Sequence, residues 1–116
     1  MPIVQLDPSA EASWPAALCI IDVREPWELE LAHLRHRPAL LTLNIPLSQL
    51  PQRLAELDAH ESTSEGGEQT LALLCHHGVR SMHAAHFLEQ HGFENLANIT
   101  GGIDAWARTD SAIGRY

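Results

Sequence analysis

Cys75 closes the apolar run Leu71-Ala72-Leu73-Leu74 and opens the segment Cys75-His76-His77-Gly78-Val79-Arg80-Ser81. A cysteine at such a junction can be a nucleophile, because the thiolate rather than the thiol attacks. An unperturbed cysteine, with a pKa near 8.5, is only about 3% thiolate at pH 7. The segment contains what could change that. Gly78 lets the backbone curl and approach a bound atom with no side chain in the way. Arg80 brings the one obligate positive charge of the loop. A helix starting near Arg80 or Ser81 would aim its N-terminal N–H groups at whatever Cys75 carries. Such a terminus contributes about 0.3–1 kcal/mol to a nearby anion, too little alone, so several N–H donors must converge on the sulfur. The expected arrangement is Cys75 as nucleophile, with several backbone N–H donors of the following loop converging on it.

Four apolar runs can hold such a loop: Ile3 to Leu6, Leu18 to Val23, Leu41 to Ile45 and Leu71 to Leu74, with a weaker fifth around Leu96 to Ile99. Between them, Ser48 to Leu57 spaces Leu50, Leu54 and Leu57 as a helix would, and Ser81 to His91 does the same with Met82, Ala85 and Leu88. Continuous apolar strands alternating with amphipathic helices imply an α/β fold with a parallel sheet covered on both faces. In open sheets of this kind ligands bind beyond the carboxyl ends of the strands, which is where Cys75 falls. Pro26 suits a first helical turn after Asp22-Val23-Arg24-Glu25. The polar stretch His60 to Gln69 reads as a surface loop, its acidic part from Glu61 to Glu68 as a solvated surface.

The 116 residues suit one domain spanning 1–116, large enough to bury its own core. Fifteen acidic residues oppose seven basic ones, for a formal charge of −8. All seven are arginine, so lysine Schiff-base chemistry is ruled out. The acidic balance argues against nucleic acid or an anionic membrane as partner. Two cysteines cannot build a disulfide scaffold, and their contexts differ. Cys19 sits inside Leu18-Cys19-Ile20-Ile21 and reads as a core residue. This pattern, with neither a leader-like start nor a membrane-length apolar stretch, leads to the expectation of a cytoplasmic protein. No cofactor is called for.

At this point the sequence resembles the rhodanese family, its single-domain members in particular. Cys-x-x-Gly-x-Arg after a strand looks like the family's active-site loop. Ile21-Asp22-Val23-Arg24-Glu25-Pro26-Trp27-Glu28 resembles its early signature, and Gly101-Gly102-Ile103-Asp104-Ala105-Trp106 its late one. The resemblance implies a doubly wound, mainly parallel five-stranded sheet with helices on both faces. It implies a sulfurtransferase in which Cys75 carries a sulfane sulfur as a persulfide. The donor would be a small molecule such as thiosulfate, and the acceptor a thiol, a protein or, in vitro, cyanide. By position, the resemblance implies that His76, His77, Gly78, Val79 and Arg80 form the cradle, which Arg80 closes, and that Asp22 props the active-site region, while Arg24 and Glu28 are structural and paired with each other.

Other readings stand beside these. His76 and His77 either tune the site or are solvated loop residues; they occupy positions where many thiosulfate-using members carry a fixed cation. Cys75, His83 and His86 are possible metal ligands by type, but Met82, Ala85 and Leu88 already claim the buried stripe, so no metal is expected. Trp27 and Trp106 read as core packing at helix starts, and Gly101-Gly102 as a turn into the last helix. Cysteine phosphatases also set a thiolate in an anion-binding loop, with five residues between cysteine and arginine; here there are four. The smaller ring suits one sulfur better than a phosphoryl group. A rhodanese-like binding or regulatory module without catalysis is the alternative from a different class.

Overall fold

The apolar runs become five strands in the computed structural model, which describes residues 3–62 and 69–116. They are β1 (Val4–Leu6), β2 (Leu18–Asp22), β3 (Leu41–Asn44), β4 (Thr70–Leu74) and β5 (Leu96–Ile99). All pair in parallel, in the order β1-β5-β4-β2-β3. The register sets Asp22 opposite both Asn44 and Leu74, so β2, β3 and β4 end together at one edge. Three helices follow the pattern: α1 (Leu54–Ser62), α2 (Val79–Gln90) and α3 (Gly102–Ala107).

Side chains alternate across a strand, and in β2, β4 and β5 both sides are buried, whereas the edge strands β1 and β3 are partly exposed. Cys19 and Ile21 of β2, with Leu71 and Leu73 of β4, pack under Leu57 of α1 and Ala84, Ala85 and Leu88 of α2. Ile20, Ala72, Leu74, Ala97 and Ile99 meet Ile103 and Trp106 of α3 on the opposite face. This is the doubly wound α/β arrangement the sequence implies. Apolar contact on both sides also explains why the strands read as unbroken hydrophobic runs.

The helix expected over Ser48 to Leu57 is interrupted. A 3-10 turn at Leu47–Gln52 contains Pro51, and Arg53 leaves helical geometry (φ −119°) before α1 begins. Proline removes an N–H and disfavours helical backbone just before it, so one continuous helix cannot form. Leu50 and Leu57 are nevertheless both buried. The two tryptophans also part company. Trp106 is fully buried, edge-on to Trp14 with ring centroids 5.0 Å apart, whereas Trp27 is 63% exposed. The chain after Pro26 makes only a 3-10 turn, Pro26–Glu30, too short to carry Trp27 inward. The expected loop from His60 to Gln69 begins within α1; residues 63–68, with most of its acidic part, lie outside the described residues. No helix among the described residues is long and apolar enough to cross a membrane.

Candidate active site

Alternation along β4 puts Cys75 on the same face as Leu71 and Leu73, toward α2. The side chain is well enclosed, with 1% of its surface exposed. The Gly78 N–H donates to Sγ at 3.0 Å, and Sγ donates to Ser81 Oγ at 3.3 Å. Among the described residues these are the sulfur's hydrogen-bond partners. Of the expected ring of backbone donors a single amide, that of Gly78, reaches the sulfur, while the Ser81 hydroxyl accepts from it.

The loop takes this shape because its two sides are held differently. Gly78 adopts φ 101°, a left-handed conformation that glycine enters at no steric cost, where the chain turns from the loop into α2, and its N–H donates to the sulfur. The loop carbonyls point the other way, onto the start of α3. Ile103 N–H donates to Cys75 O (2.9 Å) and Asp104 N–H to His76 O (3.1 Å). These amides would otherwise be the unpaired donors of a helix N-terminus. A β-carbon on Gly102 would lie 2.4 Å from His76 O and 2.6 Å from Cys75 O. Gly102 thus does more than turn the chain: it lets α3 serve as the seat of the loop.

Arg80 stands beside the loop in a braced position. Its guanidinium donates through Nη1 to Glu28 Oε2 (2.8 Å) and through Nη2 to Glu28 Oε1 (2.7 Å). The Glu28 carboxylate also accepts from Tyr116 Oη (2.8 Å) and from the Glu25 N–H (2.8 Å). Arg80, above all, holds the Glu28 carboxyl down at about 2. The guanidinium is 36% exposed and lies within electrostatic reach of Cys75. The expected Arg24–Glu28 side-chain pair is not formed. Arg24, fully buried, donates instead to both oxygens of Asp22 (Nε–Oδ1 2.9 Å, Nη2–Oδ2 2.7 Å), the carboxylate two residues away at the end of β2. It reaches Glu28 only at the backbone oxygen (3.3 Å) and also touches Tyr116 Oη (3.2 Å). Asp22, Arg24, Tyr116, Glu28 and Arg80 therefore form one chain of contacts ending at the loop.

His76 and His77 stack with centroids 3.8 Å apart. The other face of His76 lies on the Tyr116 ring at 3.7 Å, and its Nε2 meets Tyr116 O at 2.7 Å. His77 and Val79 are exposed on the rim. His76, His77 and Asp104 bring possible ligand atoms within 4.8 Å of one another. The Asp104 carboxylate already accepts from Arg108 (3.2 Å) and Arg115 (3.4 Å), one on each oxygen. His83 and His86 are exposed on α2. A cavity of about 260 Å³ lies to one side, lined by Asp22, Arg24, His33, Arg37 and Asn44 among others, but not by Cys75.

Four contributors to this site were missed by reading the sequence: Glu28 as partner of Arg80, Tyr116, Ser81 and Asn98. Only Asn98 left a local signal, as a polar residue inside the apolar run Leu96 to Ile99. Ser81 donates to its Oδ1, and both are buried.

Fold and site together define a class: a parallel α/β domain with a cysteine-led loop at the carboxyl edge of the sheet. Residues 7–109 match the rhodanese-like domain, and the chain belongs to that family. It is 31% identical over 94 residues to a thiosulfate sulfurtransferase, GlpE, of Vibrio cholerae, spanning 81% of this chain and 76% of the relative. It is 36% identical over 90 residues to the maize adenylyltransferase and sulfurtransferase MOCS3-2, spanning 77% of this chain and 17% of that longer protein. A rhodanese-related protein from Thermoplasma volcanium superposes with a TM-score of 0.70 at 27% identity, covering 92% of this chain and 93% of the other.

Proposed function

We propose that the protein is a sulfurtransferase that carries one sulfane sulfur as a persulfide on Cys75. The observation that supports this most is the seat of the sulfur. Sγ stands at the end of β4 with the Gly78 N–H 3.0 Å away and a braced arginine alongside. Thiosulfate sulfurtransferases among the relatives add support.

The reaction has two halves. The Cys75 thiolate attacks the outer sulfur of a donor such as thiosulfate; a new S–S bond forms while the donor's S–S bond breaks, and its electron pair leaves with sulfite. A nucleophilic acceptor (a thiol, a protein thiol or cyanide) then takes the terminal sulfur, and the electron pair of the Cys75 S–S bond returns to Sγ as thiolate. Preorganised donors stabilise the charge that moves in each half. Arg80 faces the anionic donor and leaving group, and Glu28 keeps it in place. Asp22 and Arg24 support that pair from below. His76 and His77, with Gly78 and Val79, shape the approach. A reducing cytoplasm suits two free thiols in the described fold.

One observation favours a non-catalytic module, namely the near-complete enclosure of Cys75. Sulfur loading itself offsets this, because an S–S bond of about 2.05 Å extends the reactive atom away from the enclosed Sγ. Thiocyanate formation from thiosulfate and cyanide separates the readings. The catalytic reading expects turnover in the wild type and none in Cys75→Ala. Absence of Cys75-dependent transfer from any sulfane donor would leave the module reading in its place.

A further inference from the structure

Behind the sulfur runs a row of polar groups that persulfide chemistry, as described, does not use. Ser81 Oγ accepts from Cys75 Sγ at 3.3 Å and donates to Asn98 Oδ1. Asn98 Nδ2 donates to Gln5 Oε1 at 3.0 Å. Gln5 Oε1 also accepts from Thr100 Oγ1 (3.0 Å), and Gln5 Nε2 donates to Met82 Sδ (3.3 Å). Ser81 and Asn98 are buried on α2 and β5, whereas Gln5, on the edge strand β1, is exposed.

Every bond in this row points away from a protonated sulfur. A hydroxyl has a single proton, and here it is given to Asn98. Once Cys75 loses its proton, Sγ can only accept. It would then face a hydroxyl lone pair across a buried contact, which is unfavourable. The persulfide has the same requirement, because its inner sulfur carries no proton either.

We propose that Ser81, Asn98 and Gln5 form a reversible hydrogen-bond relay whose direction follows the protonation of Cys75, so that Ser81 donates to the sulfur whenever it is a thiolate or persulfide. The proposal rests on Cys75 being the sulfur carrier. In the reversed state the thiol proton has gone to water or a buffer base, and the Ser81 hydroxyl rotates to donate to Sγ. The Asn98 amide turns over, presenting Nδ2 to Ser81 and Oδ1 to Gln5. Gln5 turns in the same sense and offers Nε2 to Asn98 and Thr100. No covalent bond changes within the row, and each buried group keeps a partner, because an amide has a donor end and an acceptor end. The reversal ends at an exposed glutamine, where water can complete the pattern. Ser81 touches the reacting atom; Asn98 is a positioning residue that acts through it.

The test is the pH profile of Cys75 alkylation, followed by peptide mass so that Cys19 is scored separately. The other charged or titratable groups near the sulfur are His76 and His77 in the loop, Arg80 on α2 and Glu28 opposite it. Asp22 at the end of β2, Asp104 on α3 and Tyr116 complete the set, and all seven are common to every variant. Ser81→Ala is expected to raise the midpoint by about one pH unit or more, the worth of a hydrogen bond to a charged group. Ser81→Thr, which keeps the hydroxyl, is expected to restore it. Asn98→Leu, which adds no charge and frees the Ser81 proton for the sulfur, is not expected to raise the midpoint. A Ser81→Ala midpoint equal to wild type, or a rise in Asn98→Leu as large as that in Ser81→Ala, would overturn the relay. Alkylation needs no sulfur donor, so a relay failure is distinct from failure of the wild type to gain a sulfur, which would count against the persulfide reading instead.

Discussion

Cys19 lies within β2 and Cys75 just beyond the end of the neighbouring β4; both face the same side of the sheet and both are buried. Yet Cys19 lies in the middle of its apolar run, and burial pushes its thiol up to about 11. Cys75 lies one residue past the end of its strand, where the chain turns and an N–H and a hydroxyl reach the sulfur. Exposure therefore does not distinguish the two thiols in this fold. What separates them is polar company, which a parallel sheet supplies at the carboxyl edge of its strands.

Substitutions can break that contrast. The largest effect is expected from Gly102→Ala, whose β-carbon would meet the backbone oxygens of His76 and Cys75 and whose φ is +64°. Unseating the loop is expected to cost about 2–4 kcal/mol and to lower sulfur transfer at least tenfold, while Cys19 stays unreactive. Denaturant unfolding alongside the thiocyanate assay checks both.

Glu28→Gln removes the charge that pins Arg80. Because Arg80 is over one-third exposed, screening limits the stability loss to about 1–2 kcal/mol. Turnover with an anionic donor is expected to fall about tenfold, mostly through KM, if a loose guanidinium binds donors less well. The same pair sets an acid limit on the fold. The Glu28 carboxyl is lowered from 4.5 to about 2, so its contribution is complete above about pH 4.5 and is lost as pH falls toward 2. Stability measured from pH 5 to pH 2 is expected to decline less steeply in Glu28→Gln than in wild type. Cys19→Ala sharpens the contrast from the other side. It is expected to cost about 1–2 kcal/mol from the small void it leaves, with turnover unchanged.

Much of this was legible in the sequence because β2 and β4 are buried on both faces. Leu18 to Val23 and Leu71 to Leu74 read as unbroken apolar runs, and their ends located Cys75. Gly78 and Arg80 stood out by residue type in the segment that follows Cys75. What escaped is non-local. Glu28 and Arg80 are 52 residues apart, and no local pattern links a carboxylate beside Pro26 to an arginine opening α2. The pairing expected instead, between Arg24 and Glu28, was plausible by proximity. It lost to Asp22, which sits close enough to bind the Arg24 backbone N–H as well as its guanidinium. Trp27 was assigned to the core by residue type, but a 3-10 turn left it outside. Gly102 looked like a simple turn because the loop it seats lies some 25 residues earlier in the chain.

The most direct test of the contrast is an intact-mass spectrum after exposure to a sulfane donor, taken for wild type, Cys75→Ala and Cys19→Ala. One added sulfur atom, removed by cyanide, is expected in wild type and Cys19→Ala and absent from Cys75→Ala. A sulfur that persists in Cys75→Ala, or never forms in the wild type, would contradict the account.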